Sequence, residues 1–449
     1  MNRFEKILLT IFFVELFVGG GGRLIDFGFL SIRQVLFILV LATFSLRIIK
    51  ERAIFNKDIN TFLKFNTVSI GVYLLLFWFL VSALIGFLNG HPVSIIVMDL
   101  FRVIFFVAYF PLAYYISETR FTKERVITIL KYSALAVAIL TITISLLGKT
   151  IFSANFVPFY RFMNTIMNDD LFFRPSNGVF YKSHLYVLIG LIISLNAVLN
   201  RKYTKLDIAN IILCATSILW SETRGFLLAF MLSALVIIIL DIKVVVDPIK
   251  GFLNKVRSFF QSKPFFIKAL ILLFIVVSLP FMYKHMTLER FETGVSTDPA
   301  QTEPEEVEGN GEVNDVSVNA RLEFIMDSKD ILLGNTTYLI VGTGYGMEIA
   351  GRVNGIEMTF LDVLVEQGII GLGIWIYLSL IVFYNYYVAY RNGYKLSSTD
   401  ISLMAAFMGV LMLTNINPFL NNPIGIAFFL LMLVVSNNIK NKLTAPSLS

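Results

Sequence analysis

The stretch ILWSETRGFLL, residues 218–228, places charged side chains inside an otherwise apolar part of the chain. Its central quartet contains Glu222 and Arg224, and long apolar runs lie on both sides. A guanidinium is permanently charged and presents a planar fork of donors that suits phosphate oxygens. The quartet is therefore either the tip of a hairpin between two membrane spans or a functional site at the membrane surface.

The length of the surrounding segment indicates how deep this quartet lies. Residues 206–242 must cross a bilayer twice, and two crossings need about 40 residues. Because no residues remain for an exposed loop, we expect Arg224 at the outer interface or slightly below it. A charge in hydrocarbon costs about 2.5–3.5 kcal/mol on insertion scales and usually marks a function or a buried pair. The alternative is that Arg224 extends to the lipid headgroups or pairs with Glu222.

The composition excludes an ordinary soluble protein. The chain has 449 residues, of which 57% are hydrophobic and 15% are charged, whereas soluble domains carry about 25% charged residues. The net charge of +6 reflects basic loops between spans, so nucleic acid is not an expected partner. The single cysteine, Cys214, excludes an intramolecular disulfide, and the three histidines are far apart in sequence, so we expect no metal site.

Apolar runs of about 15–25 residues predict an all-α polytopic protein with about twelve transmembrane helices. Basic residues are roughly twice as frequent on one side of these spans, which favours cytoplasmic N- and C-termini. The predicted spans are residues 6–20, 31–48, 67–88, 93–116, 130–148, 183–199, 206–221, 225–242, 268–284, 366–389, 400–416 and 423–438.

Three regions follow from this arrangement. Residues 1–284 contain spans one to nine and an extracytoplasmic segment at 149–182. Residues 285–365 form a large, partly helical extracytoplasmic loop, whose acidic part at 295–316 should be mobile. Residues 366–449 contain the last three spans.

Three elements in the second half of the chain carry a resemblance to a known family. RPSNGVFYKSHLYVLIGL begins at Arg174 and leads into a span, and SETRGFLL stands at the start of a later span. The third element begins at Arg321 and continues through the turn GTGYG to LDVLVEQGIIGL, before another span. Together and in this order, these elements resemble the O-antigen ligase and polymerase superfamily. The resemblance implies a GT-C-like membrane fold with a large late periplasmic loop.

The same resemblance implies a glycosyltransferase. The ligase branch has His-Asn where this chain has Glu357-Met358, and a glutamate at that position is more similar to the Wzy-type polymerase branch. Such polymerases transfer a growing glycan from undecaprenyl pyrophosphate to the next lipid-linked repeat unit during lipopolysaccharide biosynthesis. The donor is already activated, so no cofactor is required, and arginines can neutralise the pyrophosphate without a metal. The family also implies a flippase and a chain-length regulator as partners.

The family match gives individual residues expected roles. Arg224 and Arg321 should stabilise the departing pyrophosphate, and Glu357 should act as the base. Arg321 has a structural salt bridge as its alternative, and His184 can instead be a hydrogen-bonded interfacial histidine. The residues expected to bind substrate are Arg174, Arg352, His184 and Glu222.

Helical periodicity bears on the candidate base. At 100° per residue, Thr359, Asp362 and Glu366 share one face, which we interpret as a solvated helix surface. Glu357 falls on the opposite, apolar face, where desolvation would suit a general base. The alternative is that Glu357 precedes the helix and is solvated.

Asp99 and Arg102 lie three residues apart in the fourth span and can pair on one helix face. Such a pair is either structural or part of the path of the lipid carrier. Two other functions stay open at this point: a glycan ligase that acts on lipid A core, and a transporter of lipid-linked sugars. The sequence has no convincing internal repeat, which weakens the transporter hypothesis.

Overall fold

The structure is a computed structural model and describes residues 1–22, 24–25, 30–52, 64–174, 176–241 and 316–444. Within these residues it is all-α apart from an antiparallel hairpin of β1 (Leu171–Phe173) and β2 (Val179–Tyr181). Short 3-10 segments occur at Ile104–Ala108 and Ser153–Asn155. The helices are α1 (Arg3–Val18), α2 (Ile32–Lys50), α3 (Thr67–Leu88), α4 (Val93–Val103), α5 (Tyr109–Tyr115), α6 (Lys123–Lys149), α7 (Phe156–Ile166), α8 (His184–Leu199), α9 (Lys205–Trp220), α10 (Arg224–Leu240), α11 (Val316–Gly334), α12 (Thr336–Val341), α13 (Thr359–Arg391), α14 (Ser398–Leu413) and α15 (Pro423–Thr444).

The prediction of an all-α polytopic membrane protein is confirmed. In the described part of the chain, six helical segments are long and apolar enough to cross a membrane, and α8, α10 and α14 are shorter apolar helices. Every predicted span except the ninth coincides with a helix or, at Val93–Tyr115, with a broken one. The ninth, at 268–284, lies outside the described residues, as does the acidic stretch predicted at 295–316 except for its last residue.

Three acids hold the starts of neighbouring helices together. Each closes a capping box in the first turn of α1, α9 or α14, where its side chain accepts a backbone N–H that has no partner within the helix. Each is also buried and pairs with a basic residue of another helix. These pairs place the starts of α1, α6, α9 and α14 at one end of the bundle, as alternating spans require. They are Glu5–Arg47, Asp207–Lys131 and Asp400–Lys123.

Close packing between α10 and α14 brings the opposite ends of these two helices together. A Cβ atom added to Gly409 would lie 2.9 Å from the carbonyl oxygen of Ala229, so only a residue without a side chain permits this approach. Small residues commonly allow such contacts between membrane helices, where packing replaces the hydrophobic effect as a driving force. The start of α10, at Arg224, therefore lies beside the end of α14 and the connection that follows it.

Helix α13 begins earlier than the tenth predicted span and bends at Gly368, where φ is 66°. Below the bend, Trp375 packs in the core against aromatic rings of α3 and α15. Above it, the segment Thr359–Gln367 is fixed to α3 because the indole of Trp78 donates a 2.8 Å hydrogen bond to the carbonyl of Gln367. Glu357 precedes α13, so the periodicity argument that placed it on an apolar helix face is wrong.

Candidate active site

The quartet SETR forms a tight connection between α9 and α10, as the hairpin prediction required. Arg174 holds this connection: its Nε donates a 2.9 Å hydrogen bond to the carbonyl of Ser221, and its Nη2 lies 3.1 Å from Oγ1 of Thr223. The side chain of Arg224 is exposed at the first position of α10. Two arginines thus meet at a helix N-terminus, which adds a positive partial charge of its own. This end of the bundle is opposite to the capping acids.

Glu222 lies in the same connection, in the left-handed region with φ 50°. Its side chain is half-buried and approaches the loop between β1 and β2. A Cβ atom added to Gly178 would lie 3.5 Å from Oε1 of Glu222. The carboxylate therefore lies between the α9–α10 connection and the loop that carries Arg174.

A second charged group forms around Glu357. Its carboxylate lies 3.5 Å from Nη2 of Arg321, on α11, and 3.6 Å from Nη1 of Arg352, in the connection between α12 and α13. The side chains of Arg321, Glu357 and Arg352 are 27%, 34% and 52% exposed. All three groups are therefore reachable from solvent, and the alternative of a solvated Glu357 before the helix describes its position correctly.

The connection between α14 and α15 joins the two groups. Its Ile416 accepts a 3.5 Å hydrogen bond at the carbonyl from Nη2 of Arg321. The side chain of the same residue packs on the start of α10, where a Cβ atom added to Gly225 would lie 3.1 Å from Cγ2 of Ile416. Arg224 precedes Gly225. Contacts therefore link candidate residues from four parts of the chain: the loop between β1 and β2, the α9–α10 connection, helix α11 and the α12–α13 connection.

His184 lies behind this surface rather than on it. The ring is fully buried, and its Nδ1 accepts a 2.9 Å hydrogen bond from the N–H of Tyr181. Its Nε2 lies 3.0 Å from Oγ of Ser217, which is itself 2.7 Å from Oγ1 of Thr141. His184 was expected either to bind substrate or to be a hydrogen-bonded histidine, and its geometry fits the second interpretation. Its hydrogen bonds join β2 and the start of α8 to α9.

The turn GTGYG is a packing element rather than an anion-binding loop. All five backbone N–H groups of residues 342–346 donate to protein acceptors, which include the carbonyls of Val365 and Glu366 and a carboxylate oxygen of Asp99. Gly344 has φ +83°, and an added Cβ atom would lie 2.5 Å from Cα of Gly86. The turn therefore fixes the start of the connection that carries Arg352 and Glu357 to the end of α3.

Sequence reasoning missed a buried polar network beneath this connection. Asp362 and Glu366 are 1% and 3% exposed, so their interpretation as a solvated surface is wrong. They face Asp99 and Arg102, which form the predicted intramembrane ion pair. The available signal was the arginine in the fourth span, because a charge within a membrane span is costly and usually marks a function or a set of polar partners.

No protein-family model matches this chain. Over 435 residues, however, it is 29% identical to a protein of Shigella flexneri named O-antigen polymerase, and the alignment covers 95% of this chain and 93% of that protein. The match therefore includes the N-terminal spans, where the motifs gave no information. It agrees with the glutamate at position 357, which had favoured the polymerase branch over the ligase branch. This similarity to an O-antigen polymerase along almost the whole chain supports the resemblance to Wzy-type polymerases that the motifs carried.

Proposed function

We propose that this protein polymerises undecaprenyl-pyrophosphate-linked oligosaccharide repeat units into a surface polysaccharide, of the O-antigen type or related to it. Similarity to an O-antigen polymerase supports polymerisation in general. One observation carries the finer proposal: the carboxylate of Glu357 lies between the guanidinium groups of Arg321 and Arg352. That arrangement supports a role for Glu357 as a base, beside guanidinium groups of a kind that can bind phosphate.

The arginines can neutralise the negative charge that develops during the reaction. When the bond between the anomeric carbon and the pyrophosphate breaks, negative charge develops on the leaving group. Arg321 contacts the carbonyl of Ile416 and shares Glu357 with Arg352. Arg224 precedes Gly225, on which the side chain of Ile416 packs, and Arg174 holds the connection before it. Fixed guanidinium groups can stabilise this charge through bidentate hydrogen bonds, so the arrangement supports metal-independent transfer.

The ion pairs of Glu357 are loose enough to open during a reaction cycle. At 3.5 and 3.6 Å, and partly exposed, each contributes about 0–1 kcal/mol. A pyrophosphate that binds Arg321 and Arg352 would replace Glu357 as their partner at little cost. The carboxylate would then be available as an acceptor for the proton of the attacking hydroxyl.

The proposed step is a single displacement. The acceptor hydroxyl oxygen forms the new bond to the anomeric carbon, the bond to the pyrophosphate oxygen breaks, and the proton of the hydroxyl moves to Glu357. Attack opposite to the leaving group inverts the anomeric configuration, and no covalent enzyme intermediate is needed. The products are undecaprenyl pyrophosphate and a glycan longer by the donor chain.

The proposal includes an orientation. All candidate residues lie at the end of the bundle opposite to the capping acids, and the excess of basic residues predicts that the capping acids face the cytoplasm. The reaction would then occur at the periplasmic face of the inner membrane, on repeat units that a flippase has delivered. A chain-length regulator would act at the same face.

Reconstitution in liposomes with a purified, undecaprenyl-pyrophosphate-linked repeat unit tests the proposal. A ladder of lipid-linked glycans that increase by whole repeat units supports polymerisation. Transfer only after addition of lipid A core would show a ligase instead. Movement of the substrate across the bilayer without new glycosidic bonds would show a transporter, and either of these results overturns the proposal.

A further inference from the structure

Each of the three residues before Glu357 contacts the side chain of Arg102, which is 18% exposed, or of Asp362, which is buried. The carbonyl of Asn354 accepts a hydrogen bond from the guanidinium of Arg102. Gly355 lies between two charged groups: a Cβ atom added there would be 2.6 Å from Nη1 of Arg102 and 2.9 Å from Oδ2 of Asp362. The N–H of Ile356 donates to Oδ1 of Asp362 at 3.3 Å. The backbone that presents Glu357 is therefore fixed by Arg102 and Asp362.

Asp362 also connects this segment to the other side of the site. Its Oδ2 accepts a 2.7 Å hydrogen bond from Nδ2 of Asn421, and both residues are buried. Asn421 belongs to the connection between α14 and α15, in which Ile416 accepts the hydrogen bond from Arg321. One buried carboxylate thus joins the segment that carries Glu357 to the segment on which Arg321 rests.

Asp99 completes the network from α4. It pairs with Arg102 and accepts a 3.0 Å hydrogen bond from the N–H of Gly346. Both ends of the connection between Gly346 and Ile356, which carries Arg352, are therefore held by the same set of charges. Burying ionised groups is costly unless they are paired and hydrogen-bonded, so the members of this network stabilise one another.

We infer that Asp362 is a positioning residue for Glu357, supported from behind by Arg102 and Asp99. This inference rests on the proposed function, in which Glu357 accepts the proton of the acceptor hydroxyl. Asp362 does not need to touch the substrate. It sets the distance between the carboxylate of Glu357 and the guanidinium of Arg321, and a displacement of about 1 Å at such a site can lower the rate about 100-fold.

The test compares Asp362→Asn with the double variant Asp362→Asn/Asn421→Asp. The single variant turns one acceptor of residue 362 into a donor that faces the amide of Asn421. The double variant restores a donor–acceptor pair and returns a negative charge to the network beside Arg102. The matched control is Asp400→Asn, because Asp400 is equally buried and ion-paired with Lys123 but lies at the opposite end of the bundle.

The readout is kcat and KM of chain elongation, measured per folded enzyme in liposomes with the lipid-linked repeat unit. We expect Asp362→Asn to lower kcat about 10- to 100-fold and to change KM less than about threefold. The double variant should recover at least about tenfold of that loss, and Asp400→Asn should keep the wild-type kcat. A kcat loss of equal size in the control, or no recovery in the double variant, would show a merely structural role and overturn the inference.

A replacement variant and a wild-type comparison show which proposal fails if the main test gives a negative result. If Asp362→Asn does not fold, Asn421→Ala replaces it, because it keeps the carboxylate and its bond to Ile356 but removes the link to the α14–α15 connection. A kcat loss of about three- to tenfold is then expected, and a wild-type kcat overturns the inference. If wild-type protein does not elongate the glycan, the proposed function itself fails. If wild-type and Asp362→Asn are equally active, only the positioning role fails.

Discussion

The substitution Gly344→Ala tests how the turn GTGYG holds the site. The residue has φ +83°, and a Cβ atom would lie 2.5 Å from Cα of Gly86 and 2.7 Å from the carbonyl carbon of Ile85. Both obstacles are backbone atoms of α3, so no side chain can move aside. Alanine costs about 1–2 kcal/mol in a left-handed conformation, and forced overpacking costs about 1–3 kcal/mol. We expect a total loss of about 2–5 kcal/mol, a large part of a typical free energy of unfolding of about 5–15 kcal/mol.

Gly351→Ala is the matched control. Gly351 also has a positive φ, +73°, but a Cβ atom added there would meet nothing within 4 Å among the described residues. Gly351→Ala should therefore lower the free energy of unfolding by the conformational cost alone, about 1–2 kcal/mol. Thermal unfolding of the purified proteins in one detergent compares the two variants, and elongation assays show whether the loss extends to Glu357. Equal destabilisation by both substitutions would refute the proposed contact between the turn and α3.

Three other predictions follow from the geometry. Arg321→Ala should lower kcat by about 10²–10³-fold, and Arg352→Ala by less, because Arg321 is more buried and also contacts the carbonyl of Ile416; rates of elongation that rank in the reverse order would contradict this. His184→Ala should destabilise the fold by about 1–3 kcal/mol, since it removes the ring that accepts from the buried N–H of Tyr181 and bonds to Ser217, while kcat per folded enzyme stays unchanged; a loss of activity without a loss of stability would restore His184 to the substrate site. Incubation with a chelator should leave the elongation rate unchanged, because the arginines supply the positive charge, and a loss that added Mg²⁺ reverses would refute the metal-independent mechanism.

The membrane architecture was predictable from the sequence because a bilayer imposes simple rules. Every backbone polar group in hydrocarbon must be hydrogen-bonded within the protein, so long apolar runs become helices. The prediction of residues 67–88 as a span agrees with α3, and the break between residues 221 and 225 agrees with the α9–α10 connection. The charged quartet was visible for the same reason, since it interrupts such a run.

The buried network was not predictable from periodicity alone. Helical phase correctly placed Asp362 and Glu366 on one face, but it contains no information about what covers that face. The positive charge that acts on these two acids is Arg102, which comes from a helix far earlier in the chain. Glu357 was misplaced for a related reason: α13 begins at Thr359, and periodicity does not extend to residues before a helix starts.

We propose Glu357 as the base of a glycosyl transfer that arginines assist. The most direct measurement is the elongation rate of Glu357→Gln, reconstituted with the undecaprenyl-pyrophosphate-linked repeat unit and compared with wild-type protein at equal folded concentration. Glutamine keeps the size of the side chain but cannot accept the proton, so we predict a fall of about 10²–10⁴-fold, with KM for the lipid-linked substrate little changed. Elongation by Glu357→Gln at the wild-type rate would show that Glu357 is not the base.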